Sequence, residues 1–268
     1  MIGIPLALFG TSLRAAIELQ LRVQAGRGPR VASLLRFSSD TRFSPEEAES
    51  IRTILEVRKQ IENDHTLITI TDFGAGASQT ASRHHGRRIS DIYRTSAVSH
   101  HWGVFLFRLV RLLRPRRVLE LGTNLGVSAC YIQSALDLNG DGGRLTSIEG
   151  DPTLADYARR TIGTLSHCAP DVVVGRFHDM LVPTLDRLGA VDLVFVDGHH
   201  AEEPTRRYYE TIKSYLTSDG VVVFDDIGFW SVSVRRAWKK IIQAEKNGLH
   251  LDLGRIGILC VSDSRGTV

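Results

Sequence analysis

Three aspartates fall at the ends of two apolar runs. "FVDGHH" places Asp197 after VDLVFV, and "VFDDI" places Asp225 and Asp226 after GVVVF. If those runs are neighbouring strands, three carboxylates meet at one edge of a sheet. Carboxylates so crowded repel one another unless a proton or a cation stands between them. An all-oxygen donor set favours Mg²⁺, Mn²⁺ or Ca²⁺ over zinc. Such an ion would act as a Lewis acid, holding a substrate hydroxyl and lowering its pKa. A lone strand-end aspartate more often caps the following helix; three on adjacent strand ends favour a metal. His199 and His200 follow Asp197 directly, and histidine exchanges protons near neutral pH.

Elements that would position these groups follow from the texture of the chain, which changes near residue 115. Beyond it, short continuous apolar runs (RVLEL, RLTSIEG, DVVVG, VDLVFVD, GVVVFDD) alternate with helical stretches. Continuous rather than alternating runs suit strands buried on both faces, and the βα order predicts a parallel sheet covered by helices. LHLDLGRIGILCV reads as two strands around Gly254, an antiparallel hairpin closing one sheet edge. The fold expected is α/β, a Rossmann-like doubly wound, mostly parallel seven-stranded sheet with that hairpin, preceded by a helical N-terminal segment. In that segment SPEEAESIRTILEVRKQIEND carries a capping box, Ser44 with Glu47, and Pro45 in the first turn. SHHWGVFLFRLVRLLRP is a second helix, ended by Pro115.

Two glycine-rich stretches compete as a cofactor loop. "DFGAGAS" lies outside the βα array and leads into polar, basic sequence without helical period, so it reads as a turn. "RVLELGTNLGVSACYI" supplies strand, turn and helix in order, and Glu149 ends the next strand roughly 20 residues on, where such folds place a carboxylate for ribose hydroxyls. A dinucleotide loop needs a middle glycine for close pyrophosphate approach. Here Gly122-Thr123-Asn124-Leu125-Gly126 puts Asn124 there. Glu120, just before the turn, would repel phosphate and attract a cation. A nucleoside ligand bearing an ammonium and a sulfonium, S-adenosylmethionine (SAM), suits the loop better.

VLELGTNLG, LTSIEGDP, VDLVFVDGHH and GVVVFDDI together resemble the signature segments of class I SAM-dependent methyltransferases, in the catechol O-methyltransferase-like group. The resemblance covers about residues 97–262. It implies that Glu120, Gly122, Thr123, Asn124 and Gly126 cradle the methionine end, that Glu149 and Gly150 meet the ribose, and that Phe177 and His178 lie beside the adenine. His178 could equally stand on the surface at a helix start. The resemblance also implies that Asp197 borders the cofactor and that Asp197, Asp225 and Asp226 hold the metal, Asp226 standing where the family has Asn. The family's lysine three residues after the first metal aspartate is absent, and His200 takes its place, with His199 beside it, as the expected base. That departure also admits a metal-independent N- or C-methyltransferase.

The chain is expected to divide into residues 1–96, a helical cap or oligomerisation segment, and 97–268, a SAM-binding domain. A homodimer acting on a small hydroxylated metabolite or natural product is the family expectation. A nicotinamide-dependent oxidoreductase is disfavoured by Asn124 and by the lack of a Tyr-x-x-x-Lys pair; a non-catalytic cofactor-binding module is disfavoured by the intact acidic cluster. With 268 residues, 43% hydrophobic, and a net charge of +3, the composition argues against a nucleic-acid stripe. Cys130, Cys168 and Cys260 form no disulfide or zinc pattern, as suits a reducing cytoplasm. The apolar start MIGIPLALFG lacks the features of a signal peptide or membrane span.

Overall fold

The structure is a computed structural model that describes Gln20, Gln24 and residues 43–72, 83–166, 170–228 and 231–261. Helix α1 (Pro45–Glu62) opens it, with the capping box as expected: Ser44 Oγ accepts from the Glu47 amide and the Glu47 carboxylate accepts from the Ser44 amide. Ile51, Ile54, Val57 and Ile61 are its buried stripe. Two short strands follow, β1 (Leu67–Asp72) and β2 (Arg83–Arg88), paired antiparallel. They correct the expectation of only helices and loops before residue 115. RHHGRR has no apolar period; it is a strand because the alternating LITITD gives it a register to pair with. The DFGAGAS stretch lies outside the described residues apart from Asp72.

Helix α2 (Ile89–Ser96) leads through Ala97 and Val98 to α3 (His100–Leu113), which Ser99 caps and which ends at Arg114, just before Pro115. The array then runs β3 (Arg117–Leu121), α4 (Val127–Asn139), β4 (Arg144–Glu149), α5 (Pro152–Gly163), β5 (Asp171–Val174), α6 (Phe177–Leu188), β6 (Val191–Val196), α7 (Glu202–Lys213), β7 (Leu216–Phe224), α8 (Val232–Ala244), β8 (Leu249–Asp252) and β9 (Gly257–Cys260). The seven-stranded sheet has the order β5-β4-β3-β6-β7-β9-β8; β9 alone runs between β7 and β8 antiparallel to both. β3 is central, and the chain crosses from its β4 side to its β6 side. That reversal is where open α/β sheets bind ligands, at the carboxyl ends of the strands.

Alternate residues of the strands face opposite cores. Val118, Leu193, Phe195, Val221 and Val223 pack with α3, α4 and α5. Leu119, Leu121, Val194, Val196, Val222 and Phe224 pack with α6, α7 and α8. Trp238 is buried in the second core against Phe224, ring centroids 5.7 Å apart, so it packs α8 on the sheet and lines no site. Ile51, Ile54, Ile89 and Ile92 share the first core with α3 and α4. Among the described residues no helix is long and apolar enough to cross a membrane.

The outer edge of β8 is covered by side chains. Gln20 exchanges two hydrogen bonds with the Asp252 backbone, at 2.9 and 3.0 Å, and Gln24 does the same with His250, at 3.1 and 2.8 Å. A primary amide sets an N–H donor beside a C=O acceptor, matching the N–H and C=O of one edge-strand residue, so two of them four residues apart substitute for a neighbouring strand.

Candidate active site

The turn between β3 and α4 sits against the loop after β6. Gly122 has φ 94°, and a Cβ built there would lie 1.9 Å from the Asp197 carbonyl oxygen, so only glycine admits this approach. Asn124 stands in the left-handed region, φ 49°, which Asn tolerates better than other non-glycine residues. A small cleft opens beside this turn. Its lining comes from residues 96–98 between α2 and α3, from 122–125, from Val127 and Ser128, and from Asp197.

Of the residues expected at the cofactor, Gly122, Thr123, Asn124 and Asp197 do line this cleft. Glu120 does not. It is 0% exposed, and its carboxylate accepts from Ser128 Oγ at 2.6 Å, Ser147 Oγ at 2.7 Å and Thr123 Oγ1 at 2.5 Å. Burial pushes its pKa up, and the three hydroxyls oppose that. These bonds tie the turn, the first turn of α4 and β4 together. Glu149 accepts from the Asn124 amide at 2.8 Å and from the Asp151 amide at 3.0 Å. Burial again leads the upward shift of its pKa. Each of its oxygens keeps a lone pair for a ribose hydroxyl. Gly150 follows it, half-buried.

Phe177 and His178 open α6. The Phe177 ring meets Tyr208 edge-on, centroids 5.7 Å apart, and would lie 2.6 Å from a Cβ at Gly198, so it props the loop after β6. His178 is 63% exposed and pairs with its neighbour Asp179 at 2.8 Å, the surface alternative. Cys168, Phe229 and Trp230 lie outside the described residues. His100 Nδ1 lies 2.8 Å from Tyr131 Oη, behind the cleft.

The acidic cluster forms as expected. β6 and β7 are parallel neighbours, Val196 paired with Phe224, and the Asp225 amide donates to the Val196 carbonyl at 3.0 Å. Asp197 and Asp225 therefore stand side by side at the carboxyl edge. Burial first, then the charges of Asp225 and Asp226, push the Asp197 pKa well up, while Arg255 opposes them. Asp226 is raised too, by burial and by Asp225. His199, His200 and Asp226 all have positive φ, 65°, 22° and 55°. Three non-glycine residues in that region cost on the order of 1–3 kcal/mol each, a concentration of strain typical of functional loops. His199 Nδ1 is 2.9 Å from Tyr208 Oη, and its pKa is lowered by burial and by His178 and His200. His200 Nδ1 is 3.6 Å from Asp226 Oδ2.

The sequence reading missed Arg255, in the β8–β9 turn. Its Nε and Nη2 donate to the two oxygens of Asp225 at 2.8 and 2.7 Å, and Nη2 lies 3.4 Å from Asp226. Asp225 is 1% exposed, so this bidentate pair is its whole environment toward solvent. Arg255 competes with a divalent ion at this point, because it already engages both Asp225 oxygens. An ion about 2.1 Å from those oxygens would sit roughly 4 Å from the guanidinium, a repulsion of about 8 kcal/mol at an effective dielectric of 20. Among the described residues no group of three His, Cys, Asp or Glu is placed to hold a metal. The residues expected to hold the metal, Asp197, Asp225 and Asp226, thus meet a guanidinium, and Asp225 is already paired with it.

A family model for a methyltransferase domain matches residues 119–227, from the strand before the glycine turn to just past the aspartate pair. A catechol O-methyltransferase of Niastella koreensis is 30% identical over 132 residues, 48% of this chain and 57% of that protein. One from Mycobacterium tuberculosis is 33% identical over 132 residues, 49% and 57%. The chain thus spans little more than half the length of these curated relatives. In fold it is similar to the O-methyltransferase TomG from Streptomyces achromogenes, involved in tomaymycin synthesis and solved with SAM: TM-score 0.53, 21% identity, 87% of this chain and 96% of that one. It is also similar to the SAH-bound methyltransferase PaMTH1 of Podospora anserina, with TM-score 0.58, 16% identity and coverage of 84% and 99%. Sheet order, glycine turn and motif matches together show a Rossmann-like fold whose residues 119–227 match a methyltransferase domain and are similar to catechol O-methyltransferases.

Proposed function

We propose that the chain binds SAM in the cleft beside the Gly122 turn and methylates a hydroxyl oxygen of a small hydroxylated metabolite or natural product. The observation that carries this reading is the turn itself, a tight glycine approach with Asn124 at the middle position and Asp197 facing the same cleft. When bound, SAM supplies an electrophilic methyl carbon on a sulfonium. The residues of the chain do the remaining work. Gly122, Thr123 and Asn124 line the wall, Asp197 offers a carboxylate to an ammonium, and Glu149 with Gly150 meets ribose hydroxyls.

His200 is the proposed base. It stands at the rim of the acidic cluster, Nδ1 3.6 Å from Asp226 Oδ2, where its imidazole can take the acceptor's proton. His199, held through Tyr208, fixes the loop that carries it. The similarity to O-methyltransferases supports oxygen as the acceptor atom. The bidentate Arg255–Asp225 pair favours, as a second reading, a metal-independent enzyme whose proton work falls to histidine, and nitrogen or carbon acceptors then become admissible. A homodimer in the cytoplasm, with residues 1–96 as cap or oligomerisation segment and 97–268 as the SAM-binding domain, completes the proposal.

Calorimetric titration of SAM into the full chain tests it, with NAD⁺ as the competing ligand. Expected are saturable SAM binding, weaker binding in Asp197→Asn, and no NAD⁺ binding. An absence of SAM heat from folded protein would refute the reading.

A further inference from the structure

We propose that Arg255 is the resident cation of this site, occupying the place a divalent metal would otherwise take among Asp197, Asp225 and Asp226. The inference rests on the methyltransferase reading for its chemistry and on geometry alone for its placement. Arg255 comes from the turn between β8 and β9, and the antiparallel pairing of β9 beside β7 delivers that turn to the carboxyl edge where the aspartates end. The turn is seated there rather than draped. The Ile227 amide donates to the Arg255 carbonyl at 2.8 Å, and a Cβ at Gly228 would lie 2.6 Å from the Gly254 carbonyl oxygen. Arg235 of α8 ties the same hairpin down through Asp252 at 2.5 Å. A guanidinium held in this way is a fixed charge, not a wandering surface arginine.

The guanidinium uses Nε and one face of Nη2 on Asp225, and Nη2 also approaches Asp226, while Nη1 takes no part in these contacts. The side chain is 40% exposed, so it faces the mouth of the site as well as the carboxylates. Planar donors of this kind recognise an oxyanion without a metal's demand for several ligands. An acceptor therefore needs one ionisable hydroxyl here, not the vicinal pair that chelates a divalent ion.

Mn²⁺ binding, read by electron paramagnetic resonance of the free ion, tests this without an acceptor. Wild type, Arg255→Lys, Arg255→Gln and Arg255→Ala are compared, each checked for folding by circular dichroism and for SAM binding by calorimetry. Expected is no Mn²⁺ binding below millimolar concentration in wild type and Arg255→Lys, and at least tenfold tighter binding in Arg255→Gln and Arg255→Ala, where the carboxylates lose their counter-charge. The Gln variant, neutral yet still able to hydrogen-bond, keeps the test open if the Ala variant fails to fold. Tight Mn²⁺ binding by wild type, abolished by Asp225→Asn, would overturn the proposal. So would folded Gln and Ala variants that bind no better than wild type. Loss of SAM binding in every protein, wild type included, would instead remove the methyltransferase reading and leave the cation assignment to the Mn²⁺ result.

Discussion

Gly122→Ala probes the turn on which the cofactor reading rests, and Gly140→Ala is its internal control. Both glycines have positive φ, 94° and 69°, so both substitutions incur the left-handed penalty of about 1–2 kcal/mol. They differ in space. A Cβ at Gly140 meets nothing within 4 Å, whereas at Gly122 it lies 1.9 Å from the Asp197 carbonyl oxygen. That oxygen is backbone at the end of β6, fixed by the Asp197 amide donating to Leu121 at 2.9 Å. Restoring normal contact requires the turn and the strand end to separate by more than about 1 Å, and overpacking of this kind costs about 1–3 kcal/mol. Gly140→Ala should therefore lose about 1 kcal/mol of stability and leave SAM affinity unchanged. Gly122→Ala should lose about 2–5 kcal/mol in total, divided between stability and affinity; an affinity loss of ~10–100-fold is the part that appears if the turn alone moves. Urea denaturation and SAM calorimetry on both variants measure the two parts. If the two substitutions agree within about 0.5 kcal/mol in both assays, the close approach of turn and strand is not what the sequence conserves energy to make.

Other expectations follow from the same geometry. Glu120→Gln keeps an acceptor for two of the three hydroxyls and lets Ser128 donate or accept by rotation, so it should cost about 1–2 kcal/mol. Glu120→Ala strands all three and should cost several-fold more; equal losses in chemical denaturation would show that the hydroxyl cluster is not held by this carboxylate. His199 titrates below its usual 6.5 in the folded chain, so the unfolded chain takes up the proton first. Stability should fall as pH drops from about 6.5 toward the folded value, and His199→Gln should flatten that slope; an unchanged slope in pH-dependent melting would contradict it.

The strands could be read from sequence because their runs of Val, Leu and Ile answer to burial on both faces, which needs no knowledge of partners. The Ser44–Glu47 box is equally local: both bonds lie within four residues. What sequence did not disclose depends on register. Glu120 is paired directly with Ser147 across β3 and β4, and only that pairing shows its charge to be satisfied inside the protein. Arg255 meets Asp225 from 30 residues away, through a hairpin whose position in the sheet the pattern of apolar residues leaves open. β2 was invisible because Arg83–Arg88 has a strand's backbone without a strand's composition. The acidic cluster was legible as a place and not as a chemistry, since its counter-charge lay outside the motif.

The paired amides of Gln20 and Gln24 have a consequence in time. They reach β8 across 232 and 226 residues, so the edge strand is covered only when two segments far apart in sequence dock. Until they dock, β8 presents open donors and acceptors at residues 250 and 252, and the most available strand to meet them belongs to another copy nearby. The entropic cost of closing so long a loop grows only slowly with its length, so the finished molecule closes readily. The hazard belongs to the undocked state: refolding at high protein concentration sets intramolecular closure against edge-to-edge association, and dilution tips that contest toward intramolecular closure.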